Sequence, residues 1–368
     1  MTITIDDLRR FTVTRNFPKP TTLNRALQQM GFVQADPIRA PARAQDLILR
    51  HRVKNYHAGD LERRYSELDI EEDFFVNYGY VTRALQVLMH PRSNSRVPAA
   101  DVAWPWAAGE KKKAKLLLDF VRERGLVHPR EVDEHFAHGK ITNYWGGSSN
   151  ATTRLLEAMH YVGLLRIVRR EKGIRIYAVH QHAPVPRGIA DRRARIDALV
   201  DVVVRIYAPL PGPSLSFYLR RLRFAAPQWR KELPAALSRA KERLSHARVG
   251  KFDWYWPANE NAGDQTTPEV VRFLAPFDPV VHDRDRFELL WNWTYRFEAY
   301  TPAPKRKLGY YAMPLLWRDH VIGWANLSVK NGGLECDLGY VSGKAPNDRN
   351  FNRELESEFE RMRNFLRL

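Results

Sequence analysis

The sequence predicts an α+β protein made of tandem winged-helix (helix-turn-helix) domains with a β-rich C-terminal domain. Three observations carry that reading. Between Lys111 and His180, three amphipathic stretches lead into an alternating hairpin signal, which is the order of a winged helix. A similar order recurs between 187 and 260. From about Val270 the texture turns to alternating and aromatic segments separated by Pro, Gly and charged turns. The expected boundaries are 1–105, 106–186, 187–260 and 261–368, in line with two to four units at roughly 100 to 200 residues per domain.

Taken in order, Leu8–Phe11 and Leu23–Met30 read as short helices, the second started by Pro20, Thr21 and Thr22. Gln34 to Ala40 reads as extended, because the residue before each proline is pushed out of the helical region. Pro41 suits the first turn of a helix running to about Val53, with Ala44, Leu47, Ile48 and Val53 inward and Arg43, Arg50 and Arg52 left to solvent or a ligand. Segment 1–105 is expected to be a further winged-helix-like unit, although its hairpin is hard to see.

In segment 106–186, Lys115–Arg124, Pro129–Phe136 and Ser149–Tyr161 are expected helices, the last begun by a Ser148, Ser149, Asn150 capping cluster. "GLLRIVRREKGIRIYAV" then folds back around Glu171, Lys172 and Gly173 as a wing. In segment 187–260, Ala194–Tyr207, Ser214–Leu222 and Trp229–Leu244 read as helices and "ARVGKFDWYWP" as a second wing. In segment 261–368, "FELLWNWTYRFEAYTP", "LGYYAMPLLWR", "HVIGWANLSVK" and "LECDLGYVS" read as strands of a small antiparallel sheet. A closing helix presents Phe351, Leu355, Phe359, Met362 and Leu366 on one packing face.

Composition bounds the partner. Lys and Arg number 59 against 42 Asp and Glu, a formal charge of +17 spread along the chain. Such a spread favours a long polyanion, since neutralising phosphates releases counterions. The single cysteine, Cys336, excludes an internal disulfide and a thiolate zinc cluster. The N-terminus lacks the basic-then-apolar order of an export signal, and no run of about 18 apolar residues suggests a membrane span. A cytoplasmic, nucleoid-associated monomer acting on double-stranded DNA is the expectation, with no membrane partner.

Motifs narrow the chemistry. Neither a phosphate-cradling G-x-x-x-x-G-K-[ST] loop nor G-x-G-x-x-G occurs, so no nucleotide cofactor is expected. His180 and His182 form an H-x-H pair without an evident third ligand, so no metal is expected there. Asp278, His282, Asp283 and Asp285 could hold magnesium in a nuclease, but ion pairs with the interleaved Arg284 and Arg286 explain that cluster more simply. Gln34 and Asp36 are more informative. In extended backbone they share one face within about 7 Å, where a carboxylate and an amide can hold a water molecule and support a sugar cation. The competing reading is that Asp36 orders the turn before Pro37 or pairs with Arg39. Lys305, Arg306 and Lys307 are candidates for phosphate contact, Tyr310 or Tyr311 for stacking or wedging, and Arg154 and Lys172 for backbone contact in the clear winged helix.

"VQADPIRAPARAQDLILRHRV", "YWGGSSNATTRLLEAMHYVGLLRIVRREKGIRIY" and "LAPFDPVVHDRDRFELLWNWTYRFEAYTPAPKRKLGYYAMPLLW" together resemble the YcaQ/AlkZ family of bacterial winged-helix DNA glycosylases, in collinear order over most of the chain. The resemblance implies tandem winged helices, removal of N7-alkylated purines and unhooking of interstrand crosslinks, without a cofactor. Gln34-Ala35-Asp36 matches the Asp-bearing form of the family's catalytic motif. It implies that Asp36 activates or electrostatically supports the hydrolytic water and that Gln34 positions it. The chain departs from the family at "FFVNYGYVTRALQVLMHPR", where a His-Glu-containing segment is usual, and at Trp324 and Asn326, where Arg and Asp are usual. These departures suggest a divergent branch. A non-catalytic winged-helix regulator or architectural protein shares the same charge and helices, but leaves Asp36 expendable.

Overall fold

A computed structural model describes residues 2–92, 110–136, 140–142, 148–182 and 188–368. Contacts divide the chain into two compact units, Met1–Leu61 with Val200–Leu219 and Leu237–Leu368, and Glu62–Leu199 with Arg220–Ala236. Segment 106–186 lies wholly in the second unit and 261–368 wholly in the first, whereas 1–105 and 187–260 are each divided between them.

In the first unit, helix Ile5–Asn16 opens with a capping box: Thr4 accepts from the Asp7 N–H and the Asp7 carboxylate accepts from the Thr4 N–H. Helix Leu23–Met30 starts at Thr22 and stops at Gly31, whose φ of +74° turns the chain into the extended segment Phe32–Gln34. Glycine suits this position because φ of +74° with ψ of −33° is a conformation that L side chains rarely adopt. The helix expected from Pro41 to Val53 is Ala44–Leu49 alone, with Arg43 at its N-cap. It ends early because the Thr21 N–H donates to the Arg52 carbonyl and the Lys54 N–H to the Thr21 carbonyl, which draws Val53 into a parallel bridge with Thr21.

The C-terminal part of this unit is a four-stranded antiparallel sheet in the order Val271–Phe273, Met313–Trp317, His320–Lys330, Gly333–Tyr340. Val321, Gly323, Ala325 and Leu327 alternate inward along the third strand, the period of a half-buried sheet. The strand expected from Phe287 onward is instead the end of helix Arg284–Trp291. Asp283 caps its start by accepting from the Arg286 N–H, and Asn292 closes it in the left-handed region at φ +50°. Helix Arg349–Leu366 buries Phe351, Met362 and Phe365. A three-stranded sheet orders Leu210–Pro211, Phe252–Trp256 and Ser245–Val249, the last two pairing antiparallel over the stretch read as a second hairpin.

In the second unit, helices Glu110–Arg124, Pro129–Phe136 and Ala151–Tyr161 precede an antiparallel hairpin, Leu165–Glu171 with Ile174–Val179. Its tip, Lys172 and Gly173, takes φ of +50° and +85°, the left-handed pair that suits a two-residue hairpin turn. Leu117, Val121, Val132, Leu156, Leu165 and Ile167 form the core. The expected capping cluster is corrected: Ser148–Asn150 pairs as a strand with Lys140–Thr142. A second hairpin, Ile70–Phe74 with Tyr78–Thr82, lies in segment 1–105, where the sequence hid it. Helices Ile189–Tyr207, Gly212–Ala225 and Leu233–Arg243 follow in the expected order and are shared between the two units.

Candidate active site

Gln34 ends the extended segment Phe32–Gln34. It is 6% exposed, and its amide oxygen has no hydrogen-bond partner among the described residues. Two residues on, Asp36 is half-buried. Its N–H donates weakly to Gln45 Oε1 at 3.4 Å, and its Oδ1 accepts from the Ile38 N–H at 2.9 Å. That second bond is the turn-ordering role considered from sequence. Pairing with Arg39 is not formed. Partial burial pushes the Asp36 carboxyl above its ordinary pKa, and the Ile38 N–H offsets this only in part. In a chain of net charge +17, Asp36 has no ion-pair partner among the described residues.

Arg50 and Arg52, read from sequence as left to solvent or a ligand, are corrected. Arg50 forms a buried ion pair with Glu358 and also donates to the Phe273 carbonyl at 3.3 Å. Arg52 grips Asp278 with two bonds of 2.8 and 3.1 Å and lies over the Phe17 ring. Both guanidiniums are consumed in the interior, where an unpaired partner would be costly. Arg43 is half-buried and close enough to Asp46 to lower that buried carboxyl against the rise that burial causes. The acidic cluster set aside as a magnesium site is spent on other contacts, though not on the ion pairs expected with Arg284 and Arg286, which donate to backbone carbonyls: Asp278 holds Arg52, Asp283 caps a helix, and His282 Nδ1 meets the Tyr218 hydroxyl at 2.9 Å. Among the described residues, no group of three His, Cys, Asp or Glu is arranged to hold a metal.

The loop 305–311 is organised by an acid that sequence reading passed over. Glu298 is buried, and its Oε2 accepts from the N–H groups of Lys307, Leu308 and Gly309 at 2.9, 2.7 and 3.4 Å. An isolated Glu within "TYRFEAYTP" was the available signal. Asn326, one of the departures from the family, fixes the same loop by donating to the Leu308 carbonyl at 2.7 Å. Gly309 must be glycine here, since a Cβ would strike the Asn326 amide at 2.3 Å. Lys305 and Lys307 are exposed; Arg306 donates to the Thr301 carbonyl at 2.7 Å and lies 5.0 Å over the Tyr310 ring.

A groove of about 740 Å³ brings this loop to the chain just after Asp36: Arg39, Ala40 and Pro41 form part of its lining, with Tyr310 and Tyr311 among the rest. Tyr310 is 44% exposed and Tyr311 is buried. Tyr300, not anticipated from sequence, is the most open large aromatic here at 75% exposure. Burial and then the Asp36 charge push the phenols of both Tyr300 and Tyr311 upward. Arg154 and Lys172 lie in the other unit. Arg154 is half-buried on helix Ala151–Tyr161, and Lys172 stands exposed at the hairpin tip. The four arginines of this hairpin are engaged, Arg166 with Glu71, Arg169 with Glu171, Arg170 with Glu72 and Arg175 with Glu157. His180 and His182 stack in a group with His90, and His182 Nε2 meets the Gly163 carbonyl at 2.6 Å.

Comparison with known proteins agrees with this architecture. The solved structure of Streptomyces sahachiroi DNA glycosylase AlkZ is similar across 99% of this chain and 97% of its own, with a TM-score of 0.63 at 13% identity, a likeness of fold. The model of the AlkZ-like DNA glycosylase family matches residues 27–365. A match that includes the Gln34–Asp36 segment and extends almost to the C-terminus settles the lineage: the chain belongs to the AlkZ-like DNA glycosylase family.

Proposed function

We propose that the protein is a metal-independent, monofunctional DNA glycosylase that removes N7-alkylated purines from duplex DNA, with Gln34 and Asp36 as its catalytic pair. The observation that carries this is Asp36 itself, a half-buried carboxylate without a cation, two residues from a buried amide oxygen without a partner. An N7-alkylated purine is already cationic. When the C1′–N9 bond breaks, the bonding pair neutralises the departing ring, so no acid is required. Positive charge then develops on the sugar, where the Asp36 carboxylate stabilises it. Water oxygen bonds to C1′, its proton passes to Asp36 and on to solvent, and an abasic site and the free base remain. Lys305 and Lys307 are suited to phosphate contact, and exposed Tyr310 to stacking.

The test is release of 7-methylguanine from duplex DNA in the presence of EDTA, comparing the wild type with Asp36→Asn. Asparagine keeps an oxygen for the Ile38 N–H but removes the charge. Turnover is expected to survive chelation and to fall by about 10²- to 10³-fold in the variant, a typical cost of losing one preorganised electrostatic group. Equal release by both proteins would make Asp36 a turn-former only, whereas tight binding without release by either would make the protein a DNA binder without this chemistry. A crosslinked duplex assayed in parallel decides whether unhooking belongs to the activity.

A further inference from the structure

Tyr311 is a buried phenol whose hydroxyl has no hydrogen-bond partner among the described residues. An unmade bond of this kind is costly, so a buried orphan calls for a reason. Its ring is fixed edge-on to Phe297 at 5.4 Å, and Phe297 also packs against Tyr300 at 6.1 Å. Its neighbour Tyr310 and the Arg39–Pro41 turn line the same groove that it does. The charged and titratable groups acting on it are Asp36, Tyr295, Tyr300 and Arg284. Burial and the Asp36 charge hold the phenol protonated at any working pH, outweighing Arg284. It is therefore a donor without an acceptor, facing the field of a carboxylate.

Resting on the proposed glycosylase reading, we infer that Tyr311 is a third member of the site, which holds the attacking water by donating a hydrogen bond to its oxygen. By number and type, the free positions match the two hydrogens and one lone pair of a water molecule. Among the described residues, Gln34 Oε1 is an open acceptor, Asp36 Oδ2 makes no bond while Oδ1 takes the Ile38 N–H, and the Tyr311 hydroxyl is an open donor. A water giving its two hydrogens to Gln34 and Asp36 and accepting from Tyr311 keeps one lone pair, which is the pair that bonds to C1′. Two acceptors alone would leave the water free to swing about its hydrogens; the phenol fixes where that last pair points. Tyr311 exchanges no proton in the reaction.

Tyr311→Phe keeps the ring and removes only the hydroxyl. On duplex DNA containing 7-methylguanine, kcat is expected to fall about tenfold, the worth of one hydrogen bond in the transition state, with KM unchanged. Thermal stability should be equal or slightly higher, because an orphan polar atom is gone. Without the donor, the carboxylate beside the water is less well supported, so the acid limb of the pH profile should move to higher pH. Wild-type kcat in Tyr311→Phe overturns the inference, and so does a lower kcat with an unmoved acid limb, which marks a packing effect. Asp36→Asn run alongside separates the two levels. An inactive Asp36→Asn with a fully active Tyr311→Phe removes the tyrosine alone, whereas an active Asp36→Asn removes the catalytic reading beneath it.

Discussion

Asp36 and Asp73 are the same functional group in opposite circumstances. Asp73, in the hairpin strand Ile70–Phe74 of the second unit, is buried and fully subscribed: Oδ1 accepts from Arg92 at 2.8 Å and Oδ2 meets His90 Nε2 at 2.6 Å. Burial alone would raise its pKa, but the Arg92 guanidinium and His90 reverse that and hold the carboxyl well below the usual range. Asp36, in the first unit, meets one backbone N–H and no cation, and burial leaves it raised. With 59 basic residues in the chain, guanidiniums are plentiful, and interior acids such as Asp73, Asp278 and Glu358 have taken them. A carboxylate left unpaired against that supply fits a group kept for its reactivity rather than its contribution to folding.

Breaking the paired side should give the largest effect. Asp73→Asn leaves the Arg92 guanidinium buried without its counter-charge, at an expected cost of about 3–5 kcal/mol in unfolding free energy. Urea titration followed by circular dichroism reads this directly. A loss under about 1 kcal/mol would mean that the carbonyls of Ala225, Tyr161 and Phe74, which also accept from Arg92, hold it unaided.

Acid sensitivity sharpens the contrast at intermediate size. Burial is the main reason that the His90 pKa is lowered to about 4, against about 6.5 for an unfolded histidine. Over that interval the unfolded chain binds a proton that the folded chain does not, so stability should fall as pH drops from about 6.5 to about 4. Asp73, depressed in the fold, adds a further loss once pH passes below about 4, where the unfolded carboxyl begins to protonate. His90→Gln should flatten the upper part of that slope in melting curves taken at stepped pH. An unchanged slope would assign the acid sensitivity to other groups.

The two regions also differ in how far the sequence exposed them. Gln34-Ala35-Asp36 was legible because its meaning is local: extended backbone, spacing of two, and a following proline. The clear helix-and-hairpin order between 110 and 179 was legible for the same reason. Which cations remain free was not. Arg50 and Arg52 look like surface charges in their own helix, yet their partners Glu358 and Asp278 lie 308 and 226 residues away. The hairpin at Ile70–Phe74 is hidden because three consecutive acids, Glu71, Glu72 and Asp73, interrupt the apolar alternation of a strand, whereas Arg166, Arg170 and Arg92 neutralise them in the fold. Sequence shows that charges exist; only the fold shows which cancel. The stretch from Phe287 misled in another way, since its aromatic composition outweighed the Asp283 cap and the Asn292 stop that make its first turns helical.

The smallest expected effect tests the unpaired side at its root. If Asp36 is ionised against the preference of its surroundings, the folded state binds its proton more tightly than the unfolded chain does. Stability then declines as pH rises from about 4 through the raised folded pKa, and stays lowered above it. Asp36→Asn should therefore melt higher than the wild type at pH 7, by no more than about 2 °C because the group is only half-buried and water screens much of the penalty. The gap should close as pH falls below about 4, where the carboxyl becomes protonated in the folded and the unfolded chain alike. A variant that is more stable and less active at neutral pH is the signature of an acid retained for chemistry. A variant that melts lower at pH 7 would show that the Asp36 charge supports the fold, and would remove the difference between it and Asp73.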